Sequence, residues 1–236
     1  MNRFRTLLIG SLLALAPQTH ACDLALALAV DVSGSVDRDE YRIQMDGLAA
    51  ALRDPVVSES LVRGRSRILL LQWTGSTRQR ITIPWTDIDS FATLDMLAER
   101  IANDPRVWRN YSTAVGEALG VALATFEDAA DCRRKLIDLS GDGPSNEGIA
   151  PTDLRRALRD AGITVNAIAI EESEPDLTAY FFENVITGDG AFVVTATGFS
   201  DYPEKIRMKL VREVSKQSSA LPGAADDLRR AAFNRN

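Results

Sequence analysis

Asp31, Ser33 and Ser35 stand at alternate positions in AVDVSGSVD, residues 29–37, directly after a continuous apolar run. Two other segments crowd oxygen side chains in the same way. NYST, residues 110–113, ends in Ser112 and Thr113, and SGDG, residues 140–143, carries Asp142. All of these are hard donors. Two carboxylates brought close together repel, and a divalent cation relieves that repulsion. Carboxylate and hydroxyl oxygens at about 2.1 Å suit Mg²⁺ or Mn²⁺, with water completing an octahedron. The chemistry predicted is the holding of a small hard cation.

Each piece has a plainer reading when taken alone. Asp and Ser are common helix caps, so Ser35 or Asp37 could simply start a helix. Ser112–Thr113 before AVGEAL, with Glu117 nearby, would also cap one. GDG alone is most often a turn. What favours a metal site is the order of the three signals and the elements that must position them.

Those elements alternate along the chain. Residues 24–30 (LALALAV) read as a strand buried on both faces. Residues 37–54 place Tyr41, Met45, Leu48 and Leu52 at helical spacing. Strands at 66–73 and 78–85 flank a Thr-Gly-Ser turn and predict a hairpin, its second strand at the sheet edge. Helices are predicted at 88–102, 112–129, 151–162, 174–185 and 202–215, and strands at 135–140, 163–170 and 190–196. Strand–helix alternation argues for one doubly wound, Rossmann-like α/β domain, with a mostly parallel six-stranded sheet and one antiparallel edge strand. Such sheets bind ligands beyond the carboxyl ends of their strands, where Asp31 and Asp142 fall. Glu171 and Glu172 reach the same rim and read as a solvated loop. Asn146 and Glu147 lie near Asp142 in the chain, with no role assigned. Trp73, Trp85 and Trp108 read as packing.

The chain has 236 residues, 45% hydrophobic and 25% charged, the composition of an ordinary globular domain. Residues 1–21 carry Arg3 and Arg5, then an apolar run too short for a bilayer, then THA, and so read as an export signal cut after Ala21. Cys22 would follow the cut, as in a lipoprotein, but Thr19 stands where such signals usually carry leucine. The domain is predicted over 22–216 and a disordered tail over 217–236. Removing the signal also removes His20, the one histidine, which excludes histidine catalysis and histidine metal ligands. It leaves 25 basic against 33 acidic residues, a net charge of −8, and no basic stripe for nucleic acid. No other segment could span a membrane. Cys22 lies nine residues before Asp31 and Cys132 ten before Asp142. Neighbouring parallel strands would therefore bring both to one sheet edge, where an exported protein can oxidise them; the alternative is two unrelated thiols.

Asp-x-Ser-x-Ser after a first buried strand, Thr before a middle helix and Asp-Gly after the next strand together resemble the von Willebrand factor A domain and its metal-ion-dependent adhesion site. The resemblance spans about residues 23–215. It implies that Asp31, Ser33, Ser35 and Thr113 are ligands and that Asp142 binds directly or through water. It also implies that a carboxylate from a protein partner completes the metal shell, in recognition and not turnover. One departure stands out. The family's loop reads Thr-Asp-Gly, and here it reads Ser140-Gly141-Asp142-Gly143, with an extra glycine; Asp138 is the second candidate. The resemblance, together with the export signal, implies a periplasmic or extracellular, non-catalytic binding module. The rival is a haloacid dehalogenase-like Mg²⁺ phosphatase using Asp31 and Asp142, since SGDGPSNE resembles that family's Gly-Asp-Gly-x-x-Asn-Asp. Its general acid would fall at Ser33, and serine cannot supply that proton near neutral pH.

Overall fold

The computed structural model describes residues 22–218; the export-signal reading of residues 1–21 and most of the predicted tail lie outside the described residues. Six strands form one sheet: β1 (Cys22–Asp31), β2 (Arg67–Trp73), β3 (Gln79–Asp87), β4 (Cys132–Gly141), β5 (Ile163–Ile170) and β6 (Val193–Ala196). Their order is β3-β2-β1-β4-β5-β6, and only the β2–β3 hairpin is antiparallel. Seven helices cover the two faces: α1 (Arg38–Leu52), α2 (Pro55–Arg63), α3 (Phe91–Ala102), α4 (Val115–Thr125), α5 (Pro151–Asp160), α6 (Leu177–Asn184) and α7 (Tyr202–Ser218). Helix α7 ends at Ser218, within the first residues of the segment read as a tail.

The alternation in β1 sets the two layers. Leu24, Leu26, Leu28 and Val30 point to one face and pack with Leu48 of α1, Leu61 of α2, Leu97 of α3 and Leu210 of α7. Ala25, Ala27 and Ala29 point the other way, toward Ala118 and Ala122 of α4 and Phe181 of α6. Large residues fill the first layer, and small ones on both partners accommodate α4 in the second.

Two parts of the sequence reading shift. Helix α2 was not expected. Asp54 caps it through Val56 and Val57 N–H groups, Pro55 sits in its first turn, and only Val57 and Leu61 are buried. The helix predicted over 112–129 begins at Val115 and closes in a 3₁₀ turn at Phe126–Ala129. Of the tryptophans, Trp73 is fully buried, Trp85 donates to the Thr125 carbonyl, and Trp108 packs half-buried on the leucine-side core.

The β1–β4 register pairs Cys22 with Cys132, and the two are joined in a disulfide with their Cα atoms 4.4 Å apart. Cys22 therefore carries no free thiol for an acyl chain. The bond closes a loop of 110 residues, which in the chain-entropy account stabilises by up to about 4–5 kcal/mol. A Cys22→Ser/Cys132→Ser variant is expected to lose most of that in urea denaturation. The intact oxidised chain should weigh two hydrogens less than its reduced form by mass spectrometry, and a count of two free thiols would exclude the bond.

One charged cluster lies within the core. Lys209 of α7 is fully buried and donates to Asp138 Oδ1 at 2.5 Å and Glu213 Oε1 at 2.7 Å. Asn166 of β5 donates to the same Glu213 oxygen at 2.8 Å. Asp138, the second candidate ligand, is thus taken up by a lysine inside the fold, because the register of β4 turns it toward α7.

Candidate metal centre

Strand β1 ends by delivering Asp31 into full burial. Its Oδ1 accepts the Ser33 N–H at 2.7 Å, while Oδ2 is buried with no hydrogen-bond partner. Burial first, and the negative charge of Asp142 second, push the Asp31 carboxyl up to about 8. A buried carboxylate oxygen without a donor is costly. A cation would supply the missing positive charge.

The hydroxyls form a short relay from that point. Ser33 Oγ and Ser35 Oγ are 3.2 Å apart, and Ser35 Oγ donates to Asp142 Oδ1 at 2.7 Å. Helix α1 is capped by Asp37, whose Oδ1 accepts from Asp39 and Glu40 while Glu40 reaches back to the Asp37 N–H. Asp31, Ser33 and Ser35 take no part in that cap. The loop they occupy is held from outside. Arg106 donates to the Val32 and Ser33 carbonyls at 3.0 and 2.7 Å, and Gln44 donates to the Asp31 carbonyl at 3.3 Å. Gly34 donates to the Tyr111 carbonyl, and a Cβ there would sit 3.2 Å from the Asn110 backbone. This close approach brings the second oxygen-rich segment alongside the first.

Thr113 ends that segment and is nearly buried. Its N–H donates to Asn146 Oδ1 and its carbonyl accepts the Asn146 N–H, both at 2.9 Å. Helix α4 begins after Ala114 with no side-chain cap. Ser145 Oγ accepts the Val115 N–H instead. Neither Ser112 nor Thr113 is therefore spent on capping. Asn146, given no role by sequence, clamps the Thr113 backbone across 33 residues. An Asn146→Ala variant is expected to lose about 10–100-fold in divalent-cation affinity, the usual scale for groups that orient ligands. A titration that matches wild type would remove Asn146 from this role.

The third segment begins where β4 ends. Strand β4 runs to Gly141, paired with Ala169, with no shift of register. A Cβ at Gly141 would lie 3.2 Å from Asp31 Oδ2 and 3.3 Å from Phe181 Cζ. The bare backbone leaves room beside the unpartnered oxygen. Asp142 follows, almost buried, its carboxyl raised chiefly by burial, with Glu172 adding its charge. Glu171 and Glu172 lie in the rim loop after β5, with Glu172 exposed; Glu172 also accepts from the Phe199 N–H, and Glu171 accepts from the Thr178 N–H in the first turn of α6. Glu147 accepts from Ser76 N–H and Oγ, tying its loop to the β2–β3 turn.

Among the described residues, no three His, Cys, Asp or Glu side chains cluster as metal ligands. The site is instead two carboxylates among hydroxyls. That donor set suits a hard oxygen-seeking cation.

A family model described as "Protein of unknown function (DUF1194)" matches residues 21–218. Residues of the human collagen alpha-6(VI) chain are 27% identical over 157 positions, covering 64% of this chain and 6% of that one. Proximal thread matrix protein 1 from the mussel byssus superposes with a TM-score of 0.65 at 21% identity, covering 82% of this chain and 48% of its own. A further structure of that mussel protein, with a zinc-occupied MIDAS motif, gives a TM-score of 0.60 at 22% identity and the same coverage. A von Willebrand factor type A protein from Catenulispora acidiphila gives 0.53 at 18% identity, covering 82% and 43%. The chain spans less than half the length of each of these proteins. Together with the sheet order, they show that the fold is that of the von Willebrand factor A domain.

Proposed function

The chain belongs to the DUF1194 family, and from that premise and the acidic rim of its sheet we propose that it is an exported, non-catalytic binding module. It holds one divalent cation, Mg²⁺ or Mn²⁺, through Asp31, Ser33, Ser35, Thr113 and Asp142. Through that cation it takes a carboxylate from a protein partner in the periplasm or outside the cell. The observation that carries the reading is Asp31 Oδ2, buried beside a second carboxylate and without a donor. The cation would supply positive charge and an open coordination position. The chain's own residues hold the Asp31 loop through Arg106 and Gln44, keep the hydroxyls of Ser33 and Ser35 clear of capping, and seat Thr113 on Asn146.

The relatives lend support in kind: a collagen chain and a mussel byssus matrix protein, the latter with a zinc-occupied MIDAS motif in one of its structures. Among the described residues no helix is long and apolar enough to cross a membrane. The phosphatase reading is not favoured, because its proton donor would stand at Ser33, whose hydroxyl contacts Ser35 and whose N–H binds Asp31. Calorimetric titration of the purified chain with Mg²⁺, Mn²⁺ and Zn²⁺ is the test. Saturable one-to-one binding is expected, and absence of binding by all three overturns the assignment.

A further inference from the structure

A cleft of about 390 Å³ opens beside the Asp31 loop, between the first turns of α1 and the segment that follows α3. Its walls carry Arg38, Arg42, Arg106 and Arg109. Four arginines in one cleft are unexpected in a chain with six more acidic than basic residues. Arg106 already lies in the field of Asp31 and Asp142, while the charges of Arg38 and Arg109 are unspent. Arg42 pairs with Asp46 and donates to the Ala102 carbonyl. Arg38, Arg106 and Arg109 form no ion pair with a described carboxylate. Arg106 uses one nitrogen on the Val32 and Ser33 carbonyls and leaves Nε buried without a partner. The cleft floor is polar but self-satisfied: Tyr41 donates to the Asp104 carbonyl, and Gln72 donates to Asp104 and to Tyr41. Arg106 therefore links the cleft to the backbone of Ser33, itself a member of the proposed metal shell.

We propose that this arginine cleft is a second anchor for an acidic polypeptide segment, which places one carboxylate on the cation and a neighbouring carboxylate among Arg38, Arg106 and Arg109. The inference rests on the metal-centre reading for its first anchor only. Guanidinium groups suit carboxylate by their paired donors. The choice of a short acidic segment over a phosphate polymer follows from the rest of the surface. Beyond this cleft the domain is net acidic, which repels a long polyanion but tolerates a local one.

The test uses fluorescence anisotropy of a labelled deca-glutamate peptide against the whole chain in Mg²⁺, with Mg²⁺ affinity measured separately. Arg38→Ala/Arg109→Ala removes two exposed side chains that hold no structural bond among the described residues. The variant is expected to bind the peptide at least tenfold more weakly while its Mg²⁺ affinity stays within twofold of wild type. Unchanged peptide affinity in the variant overturns the cleft. So does a wild type that binds Mg²⁺ but not the peptide, and so does a ten-nucleotide single strand that binds more tightly than the peptide. If the wild type binds no divalent cation yet holds the peptide through the two arginines, the cleft stands and the metal reading falls.

Discussion

Replacing Asp31 with Asn is expected to abolish Mg²⁺ binding and, in chelator, to make the protein more stable. Both effects have one cause. The Asp31 carboxyl is raised to about 8 by burial and by the charge of Asp142. A group whose folded pKa lies above its unfolded value contributes fully at pH below the unfolded value, and that contribution is lost as pH rises through the folded one. The metal-free wild type should therefore lose stability from about pH 4 to about pH 8. Asp142, also raised, acts in the same direction. Asn keeps the Oδ1 that accepts from Ser33 and has nothing to ionise, so its profile should be flatter. The gain at pH 8 is about 2–4 kcal/mol after discounting for relaxation. Mg²⁺ at 1,000 times its Kd offsets that gain, because it adds about 4.1 kcal/mol to the wild type alone. Wild-type affinity should also rise about tenfold per pH unit up to pH 8, as one proton is displaced per cation. Urea denaturation across pH, with and without chelator, measures all of this. A flat wild-type profile, or unchanged Mg²⁺ affinity in the variant, would refute the account.

What could be read in advance was whatever depends on local pattern or on strand offset. The continuous apolar run of residues 24–30 marks a strand buried on both faces. The nine- and ten-residue offsets from cysteine to aspartate agree to within one residue, which is enough to bring Cys22 opposite Cys132, because parallel neighbours keep equal rise per residue; Asp142 then falls one residue beyond the level of Asp31. The three oxygen-rich segments were visible because each follows a strand or precedes a helix. What stayed hidden depends on which face a side chain takes or on distant loops. Helix α2 buries only Val57 and Leu61, too weak a periodicity to register against its polar residues. The Asn146 clamp on Thr113 joins loops 33 residues apart, and no local signal encodes it. Lys209 and Glu213, four apart on an amphipathic helix, look like a surface pair in sequence; only the tertiary register turns them inward to Asp138.

That inward pair makes the second large prediction. Lys209→Met keeps most of the volume and removes the charge, leaving Asp138 and Glu213 buried together. Breaking a buried pair by removing one partner costs about 3–5 kcal/mol, because the remaining charge is uncompensated. In the wild type Glu213 is already raised to about 7, first by burial and then by Asp138, with Lys209 pulling against both. Its contribution is fully present below its unfolded value of about 4.5 and is lost as pH rises through 7. Without Lys209 the two carboxyls must take up protons or repel, so the variant should lose far more at pH 8 than at pH 5. Adding Asp138→Asn and Glu213→Gln should recover much of the loss at pH 8 and remove its pH dependence. Equal losses at both pH values would mean that Lys209 matters for packing alone. The same triple variant separates the two acidic centres along β4. Asp138 is committed to Lys209, and Asp142 faces Ser35, so Mg²⁺ affinity should stay within about twofold of wild type when Asp138 is neutralised. A collapse of affinity would return Asp138 to the metal shell and remove Asp142 from its assigned place.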